Sequence, residues 1–343
     1  MKRTFAVALS SLTASAVALG GSLFVGAGEA QAVPAVRGLG WSAIIQHETG
    51  PLDNKGTLRM VWPHGGTITI GRVSTGAVIS DVSLDGQHVI TARYDGTQTI
   101  FALWTTGTKS LKTLKLPGDW EAAYTADGGL ITWNNYRGLM YKRNASGVAQ
   151  ARYAFPSGYA ANAWVNPEGT KYVVQTASGL TVHSTATGAA LNRIPQAGAN
   201  CRPESQLNAS TLILSCYENG ASRAYSVPYA GGVVKPLSPK NFFNYVPTTP
   251  AIASLPAGAG DGALNKVTAT GSTLFREKPS GKVVEGMTAG GYDRYLWVNA
   301  KTNSGGRPVT LRKYDTVTGS YWTLAGAWRS GIVTDARTID THR

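Results

Sequence analysis

The sequence predicts an all-β chain folded as a β-propeller, most simply of seven four-stranded blades, with six or eight also compatible with the spacing. Three observations lead there. First, helical periodicity is nearly absent beyond the N-terminal leader. Short alternating runs take its place, such as QHVITARY, TIFALWTT, KYVVQTA, TLILSCYE and YLWVNAK, each bounded by Gly, Asp, Asn or Pro. Second, a strand ending in a small-residue turn and a glycine recurs seven times, closing at Gly76, Gly107, Gly147, Gly188, Gly232, Gly281 and Gly319, with a mean step near 40 residues. Third, a second mark keeps the same beat: VSLDGQHVIT at Asp85, YTADGGLIT at Asp127, VNPEGTKYVV at Glu168 and SQLNASTLIL at Asn208, with steps of 42, 41 and 40. A four-stranded sheet of this length cannot bury both faces alone. Sheets set side by side in a closed ring can, and closure removes the large exposed edges.

Taken in order, the chain opens with Lys2 and Arg3, an apolar and small-residue run from Phe5 to about Val25, and Ala30-Gln31-Ala32. That is the pattern of an export signal, residues 1–32, cleaved after Ala32. The mature chain, 33–343, is then 311 residues in a single propeller domain with a net charge of +12. WSAIIQHE (41–48) and GIVTDAR (331–337) are the expected closing strands, one from each end of the chain. The first step, 31 residues, is short, so the first blade is expected to lack a strand in sequence. Cys201 and Cys216, the only cysteines, suggest one disulfide in an exported protein; two buried thiols are the alternative. PTTPAIASLPAGAGDGALN (247–265) interrupts the beat as a long mobile loop or an irregular blade with weak strands.

The repeat unit VSLDGQHVITARYDGTQTIFALWTTGTKSLKTLKLP resembles the propeller repeats of TolB-type proteins, and VNPEGTKYVVQTASGLTVHSTATGAALNRIP is a second good copy. CRPESQLNASTLILSCYENGASRAYSVPYAGGVVKPLSP is similar to a blade of the secreted TolB-like propellers of actinobacteria, which carry a similar Cys pair. The proline of the family's S-P-D-G mark is missing at Asp85 and Asp127. The resemblance implies a propeller with a non-enzymatic binding or scaffolding role.

Chemistry is sparse in the motifs. His47-Glu48 is followed by Thr49, Gly50 and Pro51, so no zinc-binding helix forms. No G-x-S-x-G elbow exists, and Gly-rich 258–262 precedes no helix. His88 and His183 sit in strand patterns and read as structural. YDTVTGSYW (314–322) has the look of a quinoprotein repeat but occurs once, which favours a plain turn. Trp104, Trp133, Trp164, Trp297 and Trp322 read as packing between blades. No cofactor or metal is indicated.

If the fold is a propeller, the residues just before the repeat marks face the central channel. Those are Asp81, Glu121, Asn162, Arg202 and Glu204, the candidate ligand-binding set at one mouth. With scattered basic residues and no recognition helix, specific nucleic-acid binding is not indicated. The expected partner of this secreted, monomeric protein is a protein, a peptide or an anionic envelope polymer. The alternative is a hydrolase or lyase acting on a glycan or small lactone through channel-facing acid/base residues. Export itself is checkable: intact-mass analysis of protein recovered from the culture medium should give a chain beginning at Val33, and one beginning at Met1 contradicts the cleaved leader.

Overall fold

The computed structural model describes residues 39–47, 55–157, 162–176, 179–195, 200–254, 263–276, 287–301, 308–325 and 332–341. The expected leader, 1–32, and Gly-rich 258–262 lie outside them. The described residues form seven four-stranded antiparallel sheets, the blades of a β-propeller, and no helix.

Blade 1 combines β1 (Ser42–His47), β2 (Lys55–Val61) and β3 (Thr67–Ser74) with the last strand, β28 (Ile332–Thr338), in the order β28-β1-β2-β3. The other blades each use four consecutive strands. Blade 2 is β4 (Val78–Val82), β5 (His88–Tyr94), β6 (Gln98–Thr105) and β7 (Ser110–Pro117). Blade 3 is β8 (Glu121–Tyr124), β9 (Leu130–Asn134), β10 (Leu139–Arg143) and β11 (Ala149–Tyr153). Blade 4 is β12 (Asn162–Val165), β13 (Lys171–Thr176), β14 (Gly179–Ser184) and β15 (Ala190–Ile194). Blade 5 is β16 (Arg202–Asn208), β17 (Thr211–Glu218), β18 (Ala221–Pro228) and β19 (Lys235–Pro236). Blade 6 is β20 (Phe243–Val246), β21 (Ile252–Ser254), β22 (Leu264–Val267) and β23 (Ser272–Arg276). Blade 7 is β24 (Met287–Tyr292), β25 (Tyr295–Lys301), β26 (Pro308–Asp315) and β27 (Tyr321–Ala325).

Each blade buries its two faces against its two neighbours. Seven apolar clusters result, one per interface. Between blades 1 and 2, Ile45, Leu58, Met60 and Val73 meet Ile79, Val89 and Trp104. Between blades 4 and 5, Val173 and Val182 meet Leu212, Leu214 and Val227. Between blades 7 and 1, Trp297, Leu311 and Leu324 meet Ile44, Val61 and Val333. The last of these includes Val333 of β28, which pairs with β1 from Ser42 opposite Thr338 to His47 opposite Ile332. The two segments expected to close the ring do so.

The two sequence marks turn out to be bonded to each other. The Asp-Gly mark is the turn between the first and second strands of a blade. The threonine of the Gly mark lies in the turn between the third and fourth. Thr106 donates its amide to Gln87 C=O and its hydroxyl to Gly86 C=O. Thr185 does the same toward Thr170 and Gly169, and Thr316 toward Arg294. The motif YDTVTGSYW is thus a turn, as expected. Neighbouring blades are tied here as well, by the Ala126 amide donating to Gly169 C=O. Gly169 has φ +64°, and a Cβ there would lie 2.6 Å from Ala126 N, so no other residue fits without movement.

Five of the seven repeat glycines sit in that turn. Gly76 follows the outermost strand β3 instead, and Gly281, itself outside the described residues, follows β23. The corresponding turns of blades 1 and 6 hold Gly65 and Gly271, which restore a period of about 40 residues. The short first step therefore reflects a glycine in a different link. Blade 1 does lack one strand in sequence, but that strand is β28. Of the interruption at 247–265, the described residues supply β21 and the start of β22 to blade 6, whose strands are short, which is the irregular blade of weak strands among the two expected forms.

Cys201 and Cys216 form a disulfide with Cα atoms 3.9 Å apart. It spans β16 and β17 beside the Arg202–Ser215 pair and lies within the apolar interface of blades 4 and 5. Deleting residues 332–343 removes the inner strand of blade 1 and opens its interface with blade 7. The truncated protein should lose its single sharp thermal transition and bind a hydrophobic dye at 25 °C. A sharp transition near the full-length midpoint contradicts closure by β28.

Candidate functional site

Seven strands line the axis of the ring: β28, β4, β8, β12, β16, β20 and β24, the first strand of each sheet. They are stitched sideways by polar side chains. Asp335 of β28 accepts the Ile79 amide of β4 at 2.5 Å, and Arg337 donates to Ser80 C=O at 2.7 Å. In turn, Ser80 donates to Ala122 C=O of β8, and Asp81 accepts the Tyr124 amide. Inner strands also carry irregularities. Register shifts leave an extra residue in β4 (Ser80), β20 (within 244–245), β24 (Ala289) and β28 (Thr334), and two in β16 (Glu204 and Leu207). Such bulges re-aim side chains and are common beside binding sites.

Charge is sorted by radius. The outermost strands β3, β7, β11, β15, β19, β23 and β27 contain no Asp or Glu. They do carry Arg72, Lys112, Lys115, Arg152, Arg193 and Lys235, all exposed. The innermost strands hold Asp81, Glu121, Glu204 and Asp335 against two cations, Arg202 and Arg337. A chain of net charge +13 thus keeps carboxylates at its axis.

A cavity of about 530 Å³ opens among the inner strands of six blades. Its wall includes Asn162 and Trp164 of β12, Arg202, Glu204 and Ser205 of β16, Asn244 and Tyr245 of β20, Gly290 and Gly291 of β24, and Asp335 and Arg337 of β28. Asp340 lines the cavity and accepts the Gly291 amide of blade 7, while Thr341 C=O accepts from Gln206 Nε2 of blade 5 at 2.7 Å. A chain that leaves blade 1 and reaches blade 5 crosses the ring rather than following its rim. Gln206 is fully buried and is held further by Glu168 and Tyr229.

Three of the five residues expected at the mouth line this cavity: Asn162, Arg202 and Glu204. Asp81 is buried between blades 2 and 3, where it also faces Arg337 at 3.7 Å, and lines a separate hollow of about 250 Å³ with His88, Tyr124 and Glu168. Glu121 is exposed on β8 and accepts from Asn135 Nδ2. Asp335, Arg337, Asp340 and Ser205 were not anticipated. The closing strand GIVTDAR contained the signal for the first two: an inner strand from the far end of the chain brings its own polar residues to the axis. Trp104, Trp133 and Trp297 pack between blades as expected, and Trp164 packs against the interface of blades 4 and 5 while also lining the cavity; Trp322 is about half exposed on β27. His183 is structural, stacked on Tyr172 at 4.8 Å and bonded to Gly188 C=O.

Burial sets the protonation chemistry. Loss of hydration pushes the Glu204 carboxyl up, with Arg202, Ser215 and the Tyr245 amide pulling back only in part. It pushes Asp335 up too, against the Ile79 and Ala336 amides and Arg337. Glu121 is raised by the walls around it, though its surface reaches solvent. In Glu204, Oε2 is sealed from solvent with no hydrogen-bond partner, and Arg202 stands 3.8 Å from the other oxygen. Among the described residues no group of three His, Cys, Asp or Glu side chains is placed to hold a metal ion. Nor is any helix there long and apolar enough to cross a membrane.

No protein-family model matches the chain, and no curated protein matches its sequence. Solved structures do match in fold. A protein proposed to be a 6-phosphogluconolactonase from Bacteroides uniformis is 14% identical with a TM-score of 0.56, over 87% of this chain and 98% of that one. The dihydro-heme d1 dehydrogenase NirN is 11% identical with a TM-score of 0.52, over 90% and 77%. TolB from Acinetobacter baumannii is 15% identical with a TM-score of 0.48, and the match covers 67% of this chain and 61% of that TolB. These likenesses are of the propeller fold.

A carboxyl raised on folding binds more protons folded than unfolded, so its contribution to stability falls as pH rises above the unfolded value of about 4.3. Glu204→Gln should therefore raise stability at pH 7 by about 1 kcal/mol and flatten the decline between pH 4 and 8. Thermal midpoints measured across that range check it. Identical pH curves for the two proteins would show that Glu204 is already compensated.

Proposed function

We propose that this chain is an exported, non-catalytic binding propeller that takes a polypeptide segment into its central channel. The observation that carries the reading is the composition of the channel wall. Two guanidinium groups, three carboxylates, the amides of Asn162 and Asn244 and the ring of Trp164 converge on about 530 Å³, a volume within the usual range for ligand sites. A peptide offers both signs of charge, backbone donors and acceptors, and apolar side chains to such a wall. An anionic polymer fits it less well, because the inner strands carry more carboxylates than cations. Export is supported by the leader-like residues 1–32 and by the disulfide, which suits an oxidising compartment. The TolB-like character of the repeats supports a binding role of this kind in a secreted protein.

A second reading has its own observation. Glu204 and Asp335 line one cavity, and both are pushed toward protonation by burial. Such carboxyls suit general acid work, as in a hydrolase or lyase of a glycan or small lactone. One experiment separates the two readings. Peptides selected on the mature protein by phage display are measured by fluorescence anisotropy, and a panel of lactones and glycosides is assayed for turnover. Channel binding predicts peptides whose affinity drops at least tenfold in Asn162→Trp, which fills the exposed side of the cavity without touching the core. Peptides indifferent to that change, or turnover that disappears in Glu204→Gln, would replace this reading with the second.

A further inference from the structure

We propose that the channel wall at Glu204 and Ser205 is a subsite for a primary amine, either a free α-amino group or a lysine side chain of the bound segment; this rests on the peptide reading above. The argument begins with what the other charges already do. Asp335 uses one oxygen on the Ile79 amide and the other on the Ala336 amide. Asp340 accepts the Gly291 amide. Arg337 donates to Ser80 C=O and faces Asp81. Arg202 is largely exposed, and at 3.8 Å it is too far from Glu204 to hydrogen-bond. Glu204 takes hydrogen bonds from Ser215 and the Tyr245 amide, yet its Oε2 is buried without a partner. Next to it, the Ser205 side chain is nine-tenths buried, and its Oγ also has no partner.

Two buried oxygen atoms without donors, on consecutive residues of β16, are an energetic deficit. Both residues line the cavity, and the bulge that leaves Glu204 without an opposite residue in β17 places it off the regular pleat. The group that suits them is a compact cation rich in donors. An ammonium supplies three donors and a full positive charge from one atom. A guanidinium is a planar fork suited to two oxygens of one carboxylate, whereas here the two unpartnered oxygens belong to different side chains. A hard divalent ion takes six to eight oxygen ligands or keeps several waters, and one carboxylate with one hydroxyl is a poor start on either. The surrounding field helps: the inner strands are the part of this basic chain where carboxylates outnumber cations.

The test uses n-hexylamine, 1-hexanol and hexanoate as probes, titrated at pH 7 into the mature protein and followed by two-dimensional NMR of the backbone amides. Hexylammonium should shift the signals of residues 202–206 saturably. Hexanol should bind at least tenfold more weakly, and hexanoate should leave those signals unmoved. Glu204→Gln, expected to melt no lower than wild type, should lose at least tenfold in amine affinity, and Ser205→Ala several-fold. Equal affinity for amine and alcohol, an unchanged affinity in Glu204→Gln, or displacement of the amine from Glu204 by 1 mM calcium chloride would overturn the assignment. The two proposals fail separately. Channel-bound peptides indifferent to N-acetylation, lysine replacement and Glu204→Gln would leave the peptide reading standing and remove the amine subsite. Amine binding at Glu204 with no peptide binding would do the reverse.

Discussion

Everything in this structure depends on the burial of both faces of each sheet against its neighbours. No blade has a core of its own. Each of the seven apolar clusters draws residues from two blades, so the core exists only between sheets. An arc with one interface open would expose Trp297, Leu311, Ile44 and Val333 together. The pairing of β28 with β1 prevents that, and it joins residues almost 300 positions apart in the chain. The same strand then delivers Asp335 and Arg337 to the axis. Closure and the composition of the channel are thus consequences of one pairing.

The radial sorting of charge follows from the same geometry. An outermost strand has an unpaired edge, and exposed edges invite pairing with other chains. Lys and Arg on those strands discourage it. This accounts for the exposed Arg72, Lys112, Lys115, Arg152, Arg193 and Lys235 without any ligand. The inner strands face one another across a narrow channel. Their carboxylates accept backbone amides of the next blade, as Asp335 and Asp81 do, and so replace hydrogen bonds that sheets standing side by side do not make. The net charge of the chain describes its rim. It says little about its centre.

Much of the fold could be read from the residues because the repeat is enforced by specific bonds. Thr106, Thr185 and Thr316 are tied to the opposite turn of their own blade, so a threonine and a glycine recur where the bond recurs. Gly76 and Gly281 were out of phase because a glycine pattern alone does not distinguish a turn within a blade from a link between blades. The strands of blade 6 are short and separated by segments rich in Pro and Gly, which leaves little alternation to read. Asn162, Arg202 and Glu204 line the cavity from inner-strand positions that the repeat marks out, while Glu121, at the same offset before its mark as Asn162 and Arg202, is exposed on β8. Asp81 occupies an equivalent position but points between blades as a clasp. Asp340 and Thr341 could not be anticipated, because their path across the ring follows no period.

Hydrogen exchange measured by mass spectrometry tests ring closure most directly. If both faces of every blade are hidden by a closed ring, the amides of β1 and β28 open together with those of β13 and β17, in one slow global step. Exchange of 332–338 orders of magnitude faster than that of 171–176, with the rest of the molecule still protected, would show that the last strand is an attachment and that the ring holds without it.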